Sequence, residues 1–187
     1  LTKESKMSLN NTKERYGWLH VTIHWLSAIT IIGLFLMGLW MSRLDYYDSW
    51  YQTAPAIHKS IGFVLVILTL FRLFWRSYGG VPGTLESHKN WEKLSSKLIH
   101  AFFYLAILIM FVSGYLITTA KGQALDVLGF ISIPAIVSGI EGLEHQAEEV
   151  HEVTAFSIMW IAGLHALAAF KHHIFDKDRT LVRILGR

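Results

Sequence analysis

The stretch from His151 to His173 reads HEVTAFSIMWIAGLHALAAFKHH. Between Glu152 and Lys171 it runs 18 residues without a Lys, Arg, Asp or Glu, yet it carries histidines at both ends. About 20 mostly apolar residues cross the hydrocarbon of a bilayer as a helix, so the stretch reads as a membrane span over 151–172. Working outward, 27 charge-free residues lie between Arg15 and Arg43 and 23 between Lys97 and Lys121. These predict spans over 19–41 and 97–120. A fourth interval, Ser60 to Phe71, has only 12 uncharged residues between Lys59 and Arg72. Snorkelling by those two cations extends it to a span over 56–76. The first span is too long for the apolar core of a secretory signal and lacks a small-x-small cleavage site, so it is expected to be retained. The expected fold is an all-α integral membrane four-helix bundle forming a single domain over 1–187.

Composition agrees. Of 187 residues, 52% are hydrophobic and 17% charged, against about 25% charged in a soluble domain. The absence of cysteine excludes a disulfide framework, a thiolate zinc site and an iron–sulfur cluster. Three prolines and no low-complexity run leave little room for disorder.

Charge sets the expected orientation. Lys3, Lys6, Lys13 and Arg15 precede the first span; Arg72, Arg76, Lys89, Lys93 and Lys97 flank the second connection; Lys171, Lys177, Arg179, Arg183 and Arg187 follow the last span. Thus 14 of 17 cations fall on one side, and Arg43, Lys59 and Lys121 on the other. The positive-inside rule then puts both termini in the cytoplasm, which needs an even number of crossings and supports the weak second span. Trp18, Trp25, Trp40, Trp50, Trp75 and Trp160 mostly stand near span ends, as an aromatic belt does. This bias accounts for the basic balance, and no nucleic-acid partner is expected. In the long outer connection, Val127 to Ile140 is apolar, broken by Pro134 and too short to cross. It is expected to be an interfacial helix or flap, from which Glu141, Glu144, Glu148 and Glu149 return the chain to water.

Ionisable groups inside a bilayer are costly and point to function. His20 and His24 lie in span one, His58 opens span two, His100 is in span three, and span four carries His151, His165, His172 and His173. His88 and His145 fall in loops and are expected to be solvated. His151 and His165 are 14 residues apart, so they share a helix face and stand roughly 21 Å apart along it. One lies near each surface. Because spans one and two run in opposite senses, depth pairs His24 with His165 inside and His58 with His151 outside. Two such pairs on different helices are what two stacked b-type haems require, since neutral imidazoles fill both axial positions of iron. Small residues at Gly62, Gly163, Ala166 and Ala169 permit close approach of a porphyrin. Arg72 and Arg76 can neutralise propionates of the inner haem and Lys59 those of the outer one; alternatively they are only positive-inside anchors. A shallower inner pair, His20 with His172, is a rival pairing. His172 and His173 otherwise suit snorkelling, or a propionate or quinone contact, and His100 suits a quinone contact or proton donor, against a plain packing role. His20-x-x-x-His24 and Glu148-x-x-His151 each match half of a di-iron motif, but on opposite sides of the bilayer. No span carries a row of carboxylates, which counts against a pump.

At these residues the chain resembles the bacterial cytochrome b561 family of four-helix di-haem membrane proteins. The likeness runs from Tyr16 onward: Arg15-Tyr16-Gly17 leading to Ile23-His24-Trp25-Leu26, then Ile57-His58-Lys59-Ser60-Ile61-Gly62, Val150-His151-Glu152, and Gly163-Leu164-His165-Ala166-Leu167-Ala168-Ala169-Phe170-Lys171-His172-His173. The resemblance implies His24, His58, His151 and His165 as axial ligands, two haem b, an inner-membrane location and electron exchange with ubiquinone. One branch of the family oxidises periplasmic superoxide and passes the electron to quinone. An acidic outer surface would repel that anionic substrate. The expected function is therefore an electron-transfer oxidoreductase acting across the membrane, its partners lipid, quinone and a periplasmic donor or acceptor, with a homodimer compatible. The alternatives are a cytochrome b subunit anchoring a separate dehydrogenase or hydrogenase, and a haem-free, histidine-lined metal protein.

Overall fold

A computed structural model describes residues 8–85 and 87–186. Lys3, Lys6 and Arg187, counted in the charge bias, lie outside the described residues. The elements are α1 (Trp18–Met41), α2 (Thr53–Gly79), α3 (Asn90–Thr119), β1 (Leu125–Val127), β2 (Ile131–Ile133), α4 (Leu143–Ile174) and α5 (Thr180–Ile184). The first four α-helices other than α5 are each long and apolar enough to cross a membrane.

Each long helix covers its expected span and overruns it at one or both ends, except that α3 stops at Thr119, one residue short of 120. The overrun is greatest for α3 and α4, which begin seven and eight residues before 97 and 151. Absence of charge marks only the part of a helix in hydrocarbon; beyond it the backbone continues wherever its ends are satisfied. At α3 the Glu92 carboxylate accepts the Lys89 N–H at 2.8 Å, closing the first turn as a cap does. At α4, Gly142 takes the left-handed conformation (φ 76°) that an L side chain resists. Glu144 then sits in the first turn, where a negative charge suits the helix dipole. The acidic run read as a return to water is thus the opening of a helix. Pro55 lies in the first turn of α2, where its missing N–H costs nothing.

Consecutive helices pack against one another, α3 on α4 most extensively. Phe35 of α1 meets Phe156 of α4 edge-on at 5.3 Å and closes the ring. The centre is thin: among the described residues the buried apolar members on the long helices are Ile23, Ala54, Leu65, Ala106, Ile107, Ala147 and Ile158. Apolar side chains such as Ile29, Leu70, Leu105 and Leu167 are exposed instead, as a lipid-facing surface requires. Hydroxyls inside the bundle return to their own helix: Ser27 donates to Ile23 O, Thr69 to Leu65 O and Ser113 to Ile109 O, each at 2.7 Å. Where no water can compensate, that keeps them satisfied.

The described segments next to both termini and the α2–α3 connection meet at one end. The Arg183 guanidinium donates to Glu14 O at 2.8 and 2.6 Å and to Gly83 O at 2.9 Å. Trp25 Nε1 donates to Ile184 O at 3.0 Å. At the opposite end, the segment 127–140 is no helix. Leu125–Val127 and Ile131–Ile133 pair antiparallel as a hairpin, turning through Leu128 (φ 57°) and Gly129 (φ 75°). Leu125 and Val127 point inward and Asp126 outward, the period-two alternation of a strand. The flap half of the expectation holds and the helix half is corrected. The hairpin is fastened by Leu128 N–H to Ser60 Oγ at 2.9 Å. Beside it Glu144 pairs with Lys121 at 2.7 Å, a hydrogen bond that raises the lysine pKa.

Candidate functional site

At the hairpin end, His58 of α2 and His151 of α4 face each other with ring centroids 6.3 Å apart. Between the helices lies a cavity of about 460 Å³, lined by both rings with Lys59, Gly62, Gly114, Glu148 and Glu152. That volume lies within the range of cofactor sites. Ser113 Oγ gives its proton to Ile109 O at 2.7 Å, so at 3.0 Å from His151 Nδ1 it acts as acceptor. The His151 proton is thereby held on Nδ1, leaving the Nε2 lone pair free for a metal. His58 Nδ1 is buried with no hydrogen-bond partner. Space around the rings is kept by glycine. A Cβ on Gly114 would stand 3.3 Å from His151 Cε1, and one on Gly38 would stand 3.8 Å from His58 Cε1. At Gly62 it would meet nothing within 4 Å, because that face opens on the cavity.

The residues at this end fit a bis-histidine haem. With metal–imidazole bonds of about 2.0 Å, two rings on opposite sides of one ion have centroids about 6 Å apart, close to the observed spacing. The cavity is apolar and the orphaned His58 nitrogen supplies an unmet polar demand.

The end bearing the termini is built differently. His20 and His24 of α1, Arg72 and Arg76 of α2, His100 of α3 and His165 of α4 lie within electrostatic reach of one another. Arg72 Nη2 donates to His24 Nδ1 at 3.1 Å. A neutral ring that accepts there carries its proton on Nε2, so the Arg72 bond and metal ligation through Nε2 compete for His24. His165 packs edge-on against His100 at 5.6 Å and Phe103 at 6.0 Å. His20 is buried and stacks on Tyr16 at 4.6 Å. The donor set suits iron, and it holds more imidazoles than one bis-histidine pair uses.

His172 faces elsewhere. Its Nδ1 lies 2.8 Å from Asp176 Oδ2 and 3.1 Å from Asp178 Oδ2, and its ring lies against His88. His20 and His172, the rival inner pair, therefore turn to different partners. His88 corrects its expectation: its side chain is 16% exposed and lies 3.1 Å from Asp178 Oδ2. Desolvation pushes the Asp178 carboxyl up, but hydrogen bonds from Thr180 and the charge of His172 outweigh it and hold the pKa below the usual range. His145 is solvated as expected, though on α4 rather than in a loop, beside Glu149 at 3.4 Å. Sequence reading missed Ser113 and Gly114, although a Ser-Gly pair within an apolar span is itself a signal of close approach. It also missed the partners of His88 (the His172 ring, Asp178 and Thr180), which lie 84, 90 and 92 residues away and leave no local pattern.

Comparison with known proteins fits this arrangement. A family profile described as prokaryotic cytochrome b561 matches residues 15–187. The chain is 41% identical over 181 residues to cytochrome b561 homolog 2 of Escherichia coli (strain K12), covering 97% of this chain and 96% of that protein. It is 25% identical to cytochrome b561 homolog 1 of the same organism, over 92% of this chain and 98% of the relative. It is also 25% identical to a probable superoxide oxidase, CybB, of Yersinia pestis, over 93% and 97% of the two chains. The chain belongs to the prokaryotic cytochrome b561 family, multi-pass proteins of the bacterial inner membrane that transfer electrons and carry b-type haem.

Proposed function

We propose that this single membrane domain carries electrons across the bilayer between two bis-histidine b haems and exchanges them with ubiquinone. His58 and His151 are assigned to the haem at the hairpin end, taken as outer, and His24 and His165 to the one at the termini end, taken as cytoplasmic. The observation that carries this reading is the 6.3 Å approach of His58 and His151 across a cofactor-sized cavity, with a second histidine group at the far end of the same bundle. When bound, each haem supplies a reversible one-electron couple at iron. The protein supplies the rest. A pair of imidazoles would hold each haem iron, a closed arrangement suited to electron transfer, and Ser113 fixes the tautomer of His151. Arg72 and Arg76 put two fixed positive charges at the inner end, suited to propionates, and Lys59 serves the outer cavity. His100, beside His165, is placed to contact quinone or hand it a proton.

The name of the Yersinia pestis relative raises superoxide as an electron donor. Glu148 and Glu152 line the outer cavity of this chain, and they oppose the approach of an anion. Quinone exchange is therefore the primary reading. Rapid mixing of the purified, haem-loaded protein with ubiquinol, and separately with superoxide, tests it through the haem absorbance. Ubiquinol is expected to reduce haem within the mixing experiment. Inertness toward ubiquinol would overturn the quinone assignment. A soluble dehydrogenase retained stoichiometrically in mild detergent would make the chain an anchor subunit instead.

A further inference from the structure

The end that carries both termini holds a second group of ligand-type side chains that the electron path does not use. His88 comes from the α2–α3 connection, His172 from the last turn of α4, and Asp178 from the link to α5. His88 Nε2 is hydrogen-bonded to Asp178 Oδ2 at 3.1 Å and lies 3.0 Å from Thr180 Oγ1, bonds that a metal held there would displace; His172 Nδ1 lies 3.1 Å from the same Asp178 oxygen. Their rings stand side by side, centroids 4.5 Å apart, and the three ligand atoms all lie within 4.8 Å of one another. The carboxylate is aimed by the Thr180 N–H, which donates to Asp178 Oδ1 at 2.8 Å.

His172 Nδ1 supplies a separate observation. It is sealed from solvent and makes no hydrogen bond, although carboxylate oxygens lie at 2.8 and 3.1 Å. Those oxygens are near the nitrogen but off its N–H axis. In a hydrogen bond the donor axis points at the acceptor; around a metal the donor axes converge on the ion, and ligand atoms sit off one another's axes. Buried polar atoms left without a bond are rare enough to need an explanation.

We propose that His88, His172 and Asp178 form a zinc site. Two imidazoles and a carboxylate, with a water in the fourth position, suit zinc, whereas calcium and magnesium favour all-oxygen shells. Zinc bonds of 2.0–2.1 Å place tetrahedral ligands about 3.3 Å apart, so the two 3.1 Å spacings to Asp178 need to widen by a few tenths of an ångström, and the two histidine nitrogens, within 4.8 Å of each other, need to settle at the same spacing. The neighbouring grouping of Glu92, His172 and Asp176 is less suited. Lys171 Nζ already holds both carboxylates, at 2.9 and 2.6 Å. Occupancy would tie the α2–α3 connection and the C-terminal segment to the end of α4. It would also steady the helix that carries His165, seven residues and roughly 10 Å away along the axis. The site stands or falls independently of the haem assignment.

The test is a calorimetric titration of full-length, detergent-purified protein with zinc chloride after treatment with a chelator. One saturable zinc per chain is expected. His88→Gln and Asp178→Asn should each weaken it at least about tenfold, since even supporting residues of metal sites matter to that degree. His145→Gln, altering an exposed histidine on the far end of α4, should leave it unchanged. Wild-type protein supplies a second readout that needs no variant: trypsin cleavage after Lys177 or Arg179 should slow on the order of 100-fold at free zinc a hundred times Kd. Absence of zinc uptake, uptake as tight in both variants as in wild type, or no protection of the C-terminal segment would overturn the site.

Discussion

At the hairpin end, His58 and His151 face each other over open space; the groups set against the rings are small or neutral (Gly38, Gly114 and the Ser113 hydroxyl), while Lys59, Glu148 and Glu152 also line the cavity. At the termini end, four histidines share their surroundings with two arginines, and one guanidinium bonds directly to His24. The first site is organised by shape and the second by charge. On the proposed assignment, two haems held by the same kind of ligand pair should then answer to different perturbations: chiefly side-chain volume against the rings at one end, electrostatics at the other.

The largest effect expected is loss of a whole cofactor. His151→Ala should remove the outer haem and His165→Ala the inner one, each halving the pyridine haemochrome count while the other haem keeps its spectrum. Loss of both from either change would show that the ends do not load separately. Next is Gly114→Leu, which places a Cβ 3.3 Å from His151 Cε1. Overpacking of this kind costs roughly 1–3 kcal/mol, and outer haem occupancy should fall by more than half. Gly33→Leu, where a Cβ meets nothing within 4 Å, should leave haem content unchanged; a loss there would mean that the bilayer-facing surface controls loading.

Ser113→Ala probes a smaller part of the same contrast. Without its acceptor the His151 ring is no longer held, and retention of the outer haem should weaken about 10–100-fold, read from transfer to an apo-globin. The smallest effect belongs to the charged end. Arg72→Gln removes a positive charge that disfavours ferric iron, so the inner midpoint potential should fall on the order of 60 mV, tenfold in a one-electron equilibrium. The outer potential should stay where it was. Equal shifts at both ends would dissolve the distinction.

The same division explains what could be read without coordinates. Long uncharged intervals mark where hydrocarbon must be crossed, and depth along a helix follows from residue count, so the bundle and the matched levels of His24, His58, His151 and His165 were legible. The approach of His58 to His151 depends on Ser113, Gly114 and Gly38 lying on other helices, which spacing along one helix cannot express. The hairpin was within reach: Leu125, Val127, Ile131 and Ile133 alternate with polar or turn residues around Leu128 and Gly129. Overall apolarity, taken without that alternation, leaves an interfacial helix and a flap both open. His88 was invisible because its partners come from the far end of the chain.

Haem stoichiometry bears on the central claim most directly. Pyridine haemochrome analysis of the purified chain, with a dithionite-reduced minus oxidised spectrum, should give two b haems per polypeptide, both six-coordinate and unreactive toward carbon monoxide. A preparation that holds one haem, or none after supplementation with haem during expression, would contradict it.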